Sequence, residues 1–332
     1  MALSLSLSLL DQNIIYEGET AQSTLKKTVA FAQKAEALGY DSFVVAEHHF
    51  TKEIASAAPE ILVGYILAKT YKIRVGSGGV MLQHYVPYKV AESFSLLHQL
   101  APGRVILGLG KVQGGKDEAV EVLQRDFIKL VQSFNDKFIE VTRFIRNNFS
   151  TDHPYAAENY DLQPAISSDF TIELLGGSQE SANLATTQDT GLVYPYFANA
   201  DLEALGKTRA AYQGSGDFKI AVIVYITDDP DEGKAYLAEQ AAYTVVLNSG
   251  KRVNFNKQAA AEEYADLHQA EDAKIVEKQV GAFVGTASQV KAQLDDFSKR
   301  FNTDHFVIHT IGIPYAKKFE IIEALAGEIK GG

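Results

Sequence analysis

A chain of 332 residues, 46% of them hydrophobic and 22% charged, has the balance of an ordinary globular protein and enough apolar material for a large core. Its 42 acidic residues outnumber 31 basic ones, giving a formal net charge of -11, which argues against a nucleic-acid or anionic-membrane partner. Cysteine is absent, which excludes disulfides, thiolate metal sites and cysteine nucleophiles.

The opening MALSLSLSLLDQ alternates serine with leucine and has no lysine or arginine before Lys26. That is the period of a strand, not the layout of a secretory leader. No run approaches the roughly eighteen apolar residues a membrane span needs, so the cytoplasm is the expected location. From there, apolar runs rich in Val, Ile and Leu recur, each followed by a stretch of helical period. Strands are expected at 4–10, 41–46, 73–81, 104–109, 171–176, 191–197, 218–226 and 304–311. Helices are expected at 21–38, 57–71, 87–100, 117–147, 180–190, 201–212, 230–248, 286–301 and 315–329. Thr20 and Gly39 bracket the first helix, and Pro87 and Pro314 sit at first turns.

Eight β-then-α units with apolar strands imply a parallel sheet covered by helices, and closure of such a sheet makes a (β/α)8 TIM barrel. Length alone would suggest two domains, but single barrels reach this size, so residues 1–332 are expected to form one domain. Two segments exceed the barrel's needs. Residues 148–170, after the fourth helix, are polar, aromatic and proline-punctuated, and residues 249–284, before the eighth strand, are charged and alanine-rich. Both are expected to be insertions, the second either a lid or a structural extra helix.

In such a barrel the site is built at the C-terminal ends of the strands. Glu47, His48 and His49 end the second strand, His84 follows the third, Lys111 the fourth, Ser178 the fifth, and His309 lies near the end of the eighth. Four of the eight histidines thus converge on one rim. A metal centre is disfavoured, because neighbouring strand residues point to opposite sides and carboxylate partners are scarce. GLGKVQGGKD (108–117) offers GxxxxGK, but Asp117 stands where a magnesium-holding Ser or Thr belongs. What remains is a glycine-rich rim with Lys111 and Lys116 available to an anion. In LLGGSQESANLA (174–185) a strand meets a helix at Gly176, Gly177 and Ser178, either as an anion site or simply as an N-cap with Glu180 in the first turn. Three glycines interrupt RVGSGGVML (74–82), as a planar cofactor against Gly78 and Gly79 or a tight barrel corner would require.

AEHHFT (46–51), AAPEIL (57–62), VGSGGVML (75–82), PGRVILGLG (102–110) and LGGSQESANLA (175–185) resemble, in order, the motifs of the bacterial luciferase-like flavin monooxygenase family. The resemblance runs from Leu3 to about Ala326 and is nearest to the short single-chain oxidoreductases of that family. It implies a barrel that binds reduced flavin mononucleotide (FMN) at the strand C-termini and uses dioxygen to oxidise a small organic substrate. His48 falls on the family's catalytic histidine and His49 on its neighbour. Gly78 and Gly79 fall on a non-proline cis peptide beneath the flavin ring, next to the strand end at Gly110. Lys111 replaces an arginine for the flavin phosphate, with Gly177, Ser178 and Ser181 completing the pocket. A lysine presents a point charge where arginine presents a fork, so the flavin is expected to be loosely held and supplied by a separate flavin reductase. The resemblance also implies a homodimer. His48 and His49 should face opposite ways, with His48 toward the flavin as acid/base, Glu47 or His49 orienting it, and Tyr194 and Tyr196 lining the substrate side or the core. The rival readings are a deazaflavin-dependent reductase, a non-catalytic flavin-binding barrel and a metal-dependent hydrolase.

Overall fold

The structure, a computed structural model, describes residues 5–111, 117–124, 132–149, 162–166, 169–247, 252–255, 258–267 and 273–331. In chain order the elements are β1 (Ser6–Asp11), α1 (Ala21–Leu38), β2 (Ser42–Val45), α2 (Pro59–Leu67), β3 (Arg74–Met81), α3 (Pro87–Leu100) and β4 (Val105–Gly110). There follow α4 (Asp117–Gln124), α5 (Phe134–Arg146), β5 (Thr171–Leu175), α6 (Gln179–Thr187), β6 (Gly191–Pro195), α7 (Leu202–Ala211), β7 (Phe218–Ile226) and α8 (Pro230–Glu239). The chain closes with β8 (Ala242–Val246), β9 (Arg252–Phe255), α9 (Gln258–Leu267), β10 (Lys274–Lys278), β11 (Ala282–Gly285), α10 (Ala287–Phe301), β12 (His305–His309) and α11 (Tyr315–Gly331).

Eight parallel strands run β12-β1-β2-β3-β4-β5-β6-β7, and β7 pairs with both β6 and β12, so the sheet closes into the expected (β/α)8 barrel. The strands are buried on both faces because one faces the barrel lumen and the other the helix layer. Leu7, Leu9, Phe43, Val45, Val75, Val105 and Leu107 pack outward against helices, whereas Leu10, Val44, Ala46, Val193, Ala221 and Val307 form a separate cluster inside. Local signals set the ends of α1: Thr20 caps it in a reciprocal pair with Ser23, and Gly39 takes the left-handed conformation (φ 77°) that ends it. Phe31 of α1 meets Phe43, Tyr315 and Phe319 edge-on at 5.8, 6.0 and 5.4 Å, contacts of about 0.5–1.5 kcal/mol each beyond area burial.

Two of the expected helices are divided differently. The stretch 117–147 contains α4 and α5, with 125–131 outside the described residues. The stretch 230–248 is helical only to Glu239, after which Ala242–Val246 is a strand, held antiparallel between β9 and β10. Its AYTVV is β-branched and aromatic, and its two partners come from the insertion, so a pairing invisible to local periodicity overrides the helix. That insertion is thus a three-stranded sheet with α9, ending in β11, which runs parallel to the upper half of β7. Of 148–170, residues 162–166 lie against α3, where Gln99 Nε2 donates to Ala165 O (2.7 Å). Among the described residues no helix is long and apolar enough to cross a membrane.

Candidate active site

The inner row of β2 runs Val44, Ala46, and His48 continues it; the outer row runs Val45, then Glu47 and His49. The two histidines accordingly have different surroundings. On the outer side Glu47 is completely buried, and its carboxylate accepts from His49 Nε2 (2.7 Å), the Tyr85 hydroxyl (2.7 Å) and the Met81 amide (3.1 Å). A buried carboxylate needs such donors, and these three tie the turn after β2 to the end of β3. The Tyr85 hydroxyl is pushed up in pKa by burial and by the Glu47 charge. The His84 ring stands edge-on to His49 at 5.5 Å, so the outer pair is His49 and His84.

The inner pair is His48 and His309. On β12, Val307 lines the lumen and His309 lies two residues further, on the same face, paired with Leu10 of β1 and Ile223 of β7. His48 Nδ1 and both ring nitrogens of His309 are buried without a hydrogen-bond partner among the described residues. Burial lowers the His48 pKa, opposed by the Glu47 charge and reinforced by His49. His309 is pulled down to about 3 by burial and by the Lys318 cation, against the charge of Asp11, with His48 lowering it further. Both rings are therefore neutral near pH 7.

Beneath this rim the lumen holds a cavity of only about 50 Å³, lined above by Leu10, Val44, Gly78 and Phe197 and below by Ser8, Ser42 and the Glu173–Lys219 ion pair (2.6 Å). Small-molecule pockets span roughly 300–1,000 Å³, so a cofactor and its substrate belong above that cavity, at the rim. A larger cavity, about 760 Å³, opens at the opposite pole beside Arg74, Arg146, Asp189 and Asp217. Its cations are already committed, Arg74 to Asp41 and Arg146 to the Gln188 and Asp189 carbonyls. The rim, where His48 Nδ1 and both His309 ring nitrogens lack partners, is the candidate site.

The Gly78–Gly79 peptide is cis, as the resemblance implied. A Cβ on Gly78 would lie 2.7 Å from Val44 Cγ2, and one on Gly79 would lie 2.8 Å from Gly108 O, so this part of β3 presents bare backbone. Gly110 ends β4 in register with Met81 of β3 and Leu175 of β5, which brings Lys111, Gly177 and Ser178 to neighbouring strand ends. Lys111, Gly177 and Ser178 are exposed. Ser178 is the N-cap of α6, accepting from the Ser181 amide (3.2 Å), and its hydroxyl meets that of Ser181 at 3.1 Å. Capping leaves the other first-turn amides and the positive end of the helix dipole for an anion. Glu180 is held by Asn135 Nδ2 at 3.3 Å. Lys116 and most of the glycine-rich loop lie outside the described residues. Among the described residues no three His, Asp or Glu side chains are grouped to hold a metal ion.

Of the two places open to Tyr194 and Tyr196, the structure takes the core. Tyr194 and Tyr196 are 1% and 7% exposed and pack in the outer core, Tyr196 against Phe297, because strand alternation gives the lumen to Val193 and Pro195. The aromatic at the inner rim is Phe197, edge-on to His309 at 4.9 Å. The sequence reading also missed Asp11, at the end of β1. It is fully buried and accepts from Lys318 Nζ (2.8 Å), Tyr315 (2.6 Å), Thr28 (3.0 Å) and Asn13 (3.2 Å). Burial alone would raise its pKa, but the Lys318 charge and the hydrogen bonds from Lys318, Tyr315 and Thr28 lower it. A carboxylate closing the run LSLLD was the available signal.

A family model described as luciferase-like monooxygenase matches residues 7–303. An N-acetyl-S-alkylcysteine monooxygenase of Bacillus subtilis is 41% identical over 310 residues, covering 92% of each chain. A luciferase-like monooxygenase of Escherichia coli is 34% identical over 182 residues, 55% of this chain and 52% of that one. Among solved structures, apo-MsnO8 superposes with a TM-score of 0.77 at 25% identity, covering 99% of both chains. The oxygenating constituent of 3,6-diketocamphane monooxygenase of Pseudomonas putida, in complex with FMN, gives 0.67 at 18% identity over 98% of this chain and 97% of that one, a likeness of fold.

Proposed function

This chain belongs to the luciferase-like monooxygenase family, and from that premise we propose that it binds reduced FMN at the barrel rim and uses dioxygen to oxygenate a small thioether of the N-acyl-S-alkylcysteine class. The substrate class is carried by the Bacillus subtilis relative, similar over nearly the whole of both chains. The observation that carries the site is the meeting, at one rim, of a backbone floor without side chains at Gly78–Gly79 and three buried ring nitrogens without hydrogen-bond partners, Nδ1 of His48 and both of His309.

The residues present fit a flavin nucleotide. The floor at Gly78 and Gly79 admits a flat ring, and Lys111, Gly177, Ser178 and Ser181, with the first turn of α6, suit its phosphate. When bound, the reduced flavin supplies the activation of dioxygen, which no side chain of this protein can provide. The protein's own tasks are orientation, exclusion of water and movement of protons. His48 serves as the acid/base at Nδ1: its lowered pKa keeps the ring neutral at pH 7, ready to accept a proton and return it. His49 acts through Glu47, holding the turn that carries His48. Leu10 and Phe197 form an apolar wall that limits water at the inner rim.

A lysine in place of a forked guanidinium supports a loosely held flavin and hence a separate flavin reductase as its source. The exposed apolar residues Ile61 and Tyr65 on α2 and Leu96 and Leu100 on α3 support a homodimer. We read residues 1–332 as one barrel domain. The test supplies reduced FMN and isotopically labelled dioxygen with N-acetyl-S-benzylcysteine and follows the product by mass spectrometry. One labelled oxygen atom per product is expected. Binding of FMN with no labelled product from any thioether would refute the reading, and tighter binding of a deazaflavin would reassign the cofactor.

A further inference from the structure

We propose that His309, at the end of β12, is a specificity-determining residue whose ring hydrogen-bonds the acyl-amide group of the substrate at the inner rim. The inference rests on the thioether reading above and identifies which part of the wall recognises the N-acyl group.

A buried polar atom without a partner is uncommon in a native protein, because it forfeits water and gains nothing in return. His309 has two such atoms in a ring that is 1% exposed. They are not isolated. His48 Nδ1, Asn13 Oδ1 and Thr310 Oγ1 are also buried and without hydrogen-bond partners among the described residues. His48 and His309 continue the inward rows of β2 and β12, with β1 between the two strands, whereas alternation turns Thr310 to the other side and Asn13 bonds Thr28 of the helix layer. Phe197 packs edge-on against His309 and also lines the lumen cavity, which fixes the ring at the boundary between the apolar interior and the rim. His309 and His48 thus form a small polar patch at the inner rim, above an apolar wall of Leu10, Val44 and Phe197.

The charge state of the patch selects the ligand. The His309 ring is neutral, so it offers one N–H donor and one lone pair, the complement of an amide's carbonyl and N–H. The acidic groups at this rim are committed elsewhere: Asp11 to Lys318 of α11, and Glu47 to His49, Tyr85 and the Met81 amide. A free α-ammonium would enter without a counter-ion, next to the Lys318 charge that already disfavours a cation at His309. N-acylation removes that positive charge and supplies the hydrogen-bonding groups the patch can satisfy. The wall therefore accepts the N-acylated amino acid and rejects the free one.

The test measures calorimetric binding of N-acetyl-S-benzylcysteine and of S-benzylcysteine to the FMN-loaded protein, with wild type, His309→Phe and His309→Gln. Phenylalanine keeps the ring and removes both nitrogens; glutamine keeps a donor and an acceptor. Wild type should prefer the N-acetyl compound. His309→Phe should weaken it about tenfold while leaving the free amine nearly unchanged, and His309→Gln should retain most of the preference. Equal weakening of both ligands, no change in either, or no preference in wild type would overturn the proposal. Should the phenylalanine variant fail to fold, the ring-nitrogen resonances of His309 in wild type decide. They must shift with the N-acetyl ligand, and their remaining still would overturn the proposal. Binding judges His309 and turnover with reduced FMN judges the monooxygenase reading, so either can fail alone.

Discussion

Replacing Lys318 by methionine isolates the energetics of the carboxylate that closes β1. Lys318 and Asp11 are 2% and 0% exposed in their side chains and meet at 2.8 Å. Methionine keeps most of the volume and removes the cation, leaving Asp11 with the Tyr315 hydroxyl, the Thr28 hydroxyl and the Asn13 amide as donors. Breaking a buried pair from one side costs about 3–5 kcal/mol, and three surviving neutral donors place this case near the lower end, about 3 kcal/mol at pH 7. For a urea slope of about 3 kcal/mol/M, the unfolding midpoint falls by about 1 M. The pH dependence has a definite sign. In wild type the Asp11 pKa is lowered, so its contribution is present above the unfolded value of about 3.9 and is lost as pH falls through the folded value. In the variant, burial dominates and raises the folded pKa, so the deficit is largest at neutral pH and shrinks as acid protonates Asp11. Paired urea titrations at pH 7 and pH 5 measure this, and Asp11→Leu added to Lys318→Met should recover most of the loss. A deficit below about 1 kcal/mol at pH 7, or one of equal size at both pH values, would refute the reasoning.

His48→Ala should retain FMN binding and lose about 10²- to 10⁴-fold in turnover, measured with reduced FMN and a thioether. Because the folded pKa of His48 is lowered, its neutral form persists below pH 6.5, and the acid limb of kcat/KM in wild type should lie below that value. Lys111→Ala should raise the FMN dissociation constant severalfold with little change in melting temperature, since its side chain is exposed; a fluorescence titration reads the first and a thermal scan the second. Gly78→Ala should destabilise by about 1–3 kcal/mol, because its Cβ meets movable side-chain atoms of Val44 and Leu10. Gly76→Ala should be worse, since its Cβ would lie 2.1 Å from the backbone oxygen of Ile106, and denaturation midpoints give the order.

The strands were legible because each carries its own signal: a short Val-, Ile- or Leu-rich run bounded by turn residues, as in VILGLG and FKIAVIVYI. The helix ends at Thr20, Gly39 and Ser178 were legible for the same reason, since a cap is a contact within three or four residues. Residues 242–246 were not, because a strand flanked by two others depends on partners that periodicity does not contain. For Tyr194 and Tyr196 the sequence left the substrate side and the core both open, and the parity of β6 sends them to the helix layer.

By itself the sequence determined that the eight barrel strands exist, that their ends carry Glu47, His48, His49, Lys111, Ser178 and His309, and that His48 and His49 must part company. Alternation along a strand is a local rule and needs no partner. Tertiary structure decided which imidazoles meet. The order β12-β1-β2 sets His309 and His48 on the inner side within reach of each other's charge, while the bend after β3 gives His84 to His49. Those pairings depend on strand order around the barrel, a relation between residues far apart in the chain, and so no spacing in the sequence expresses them.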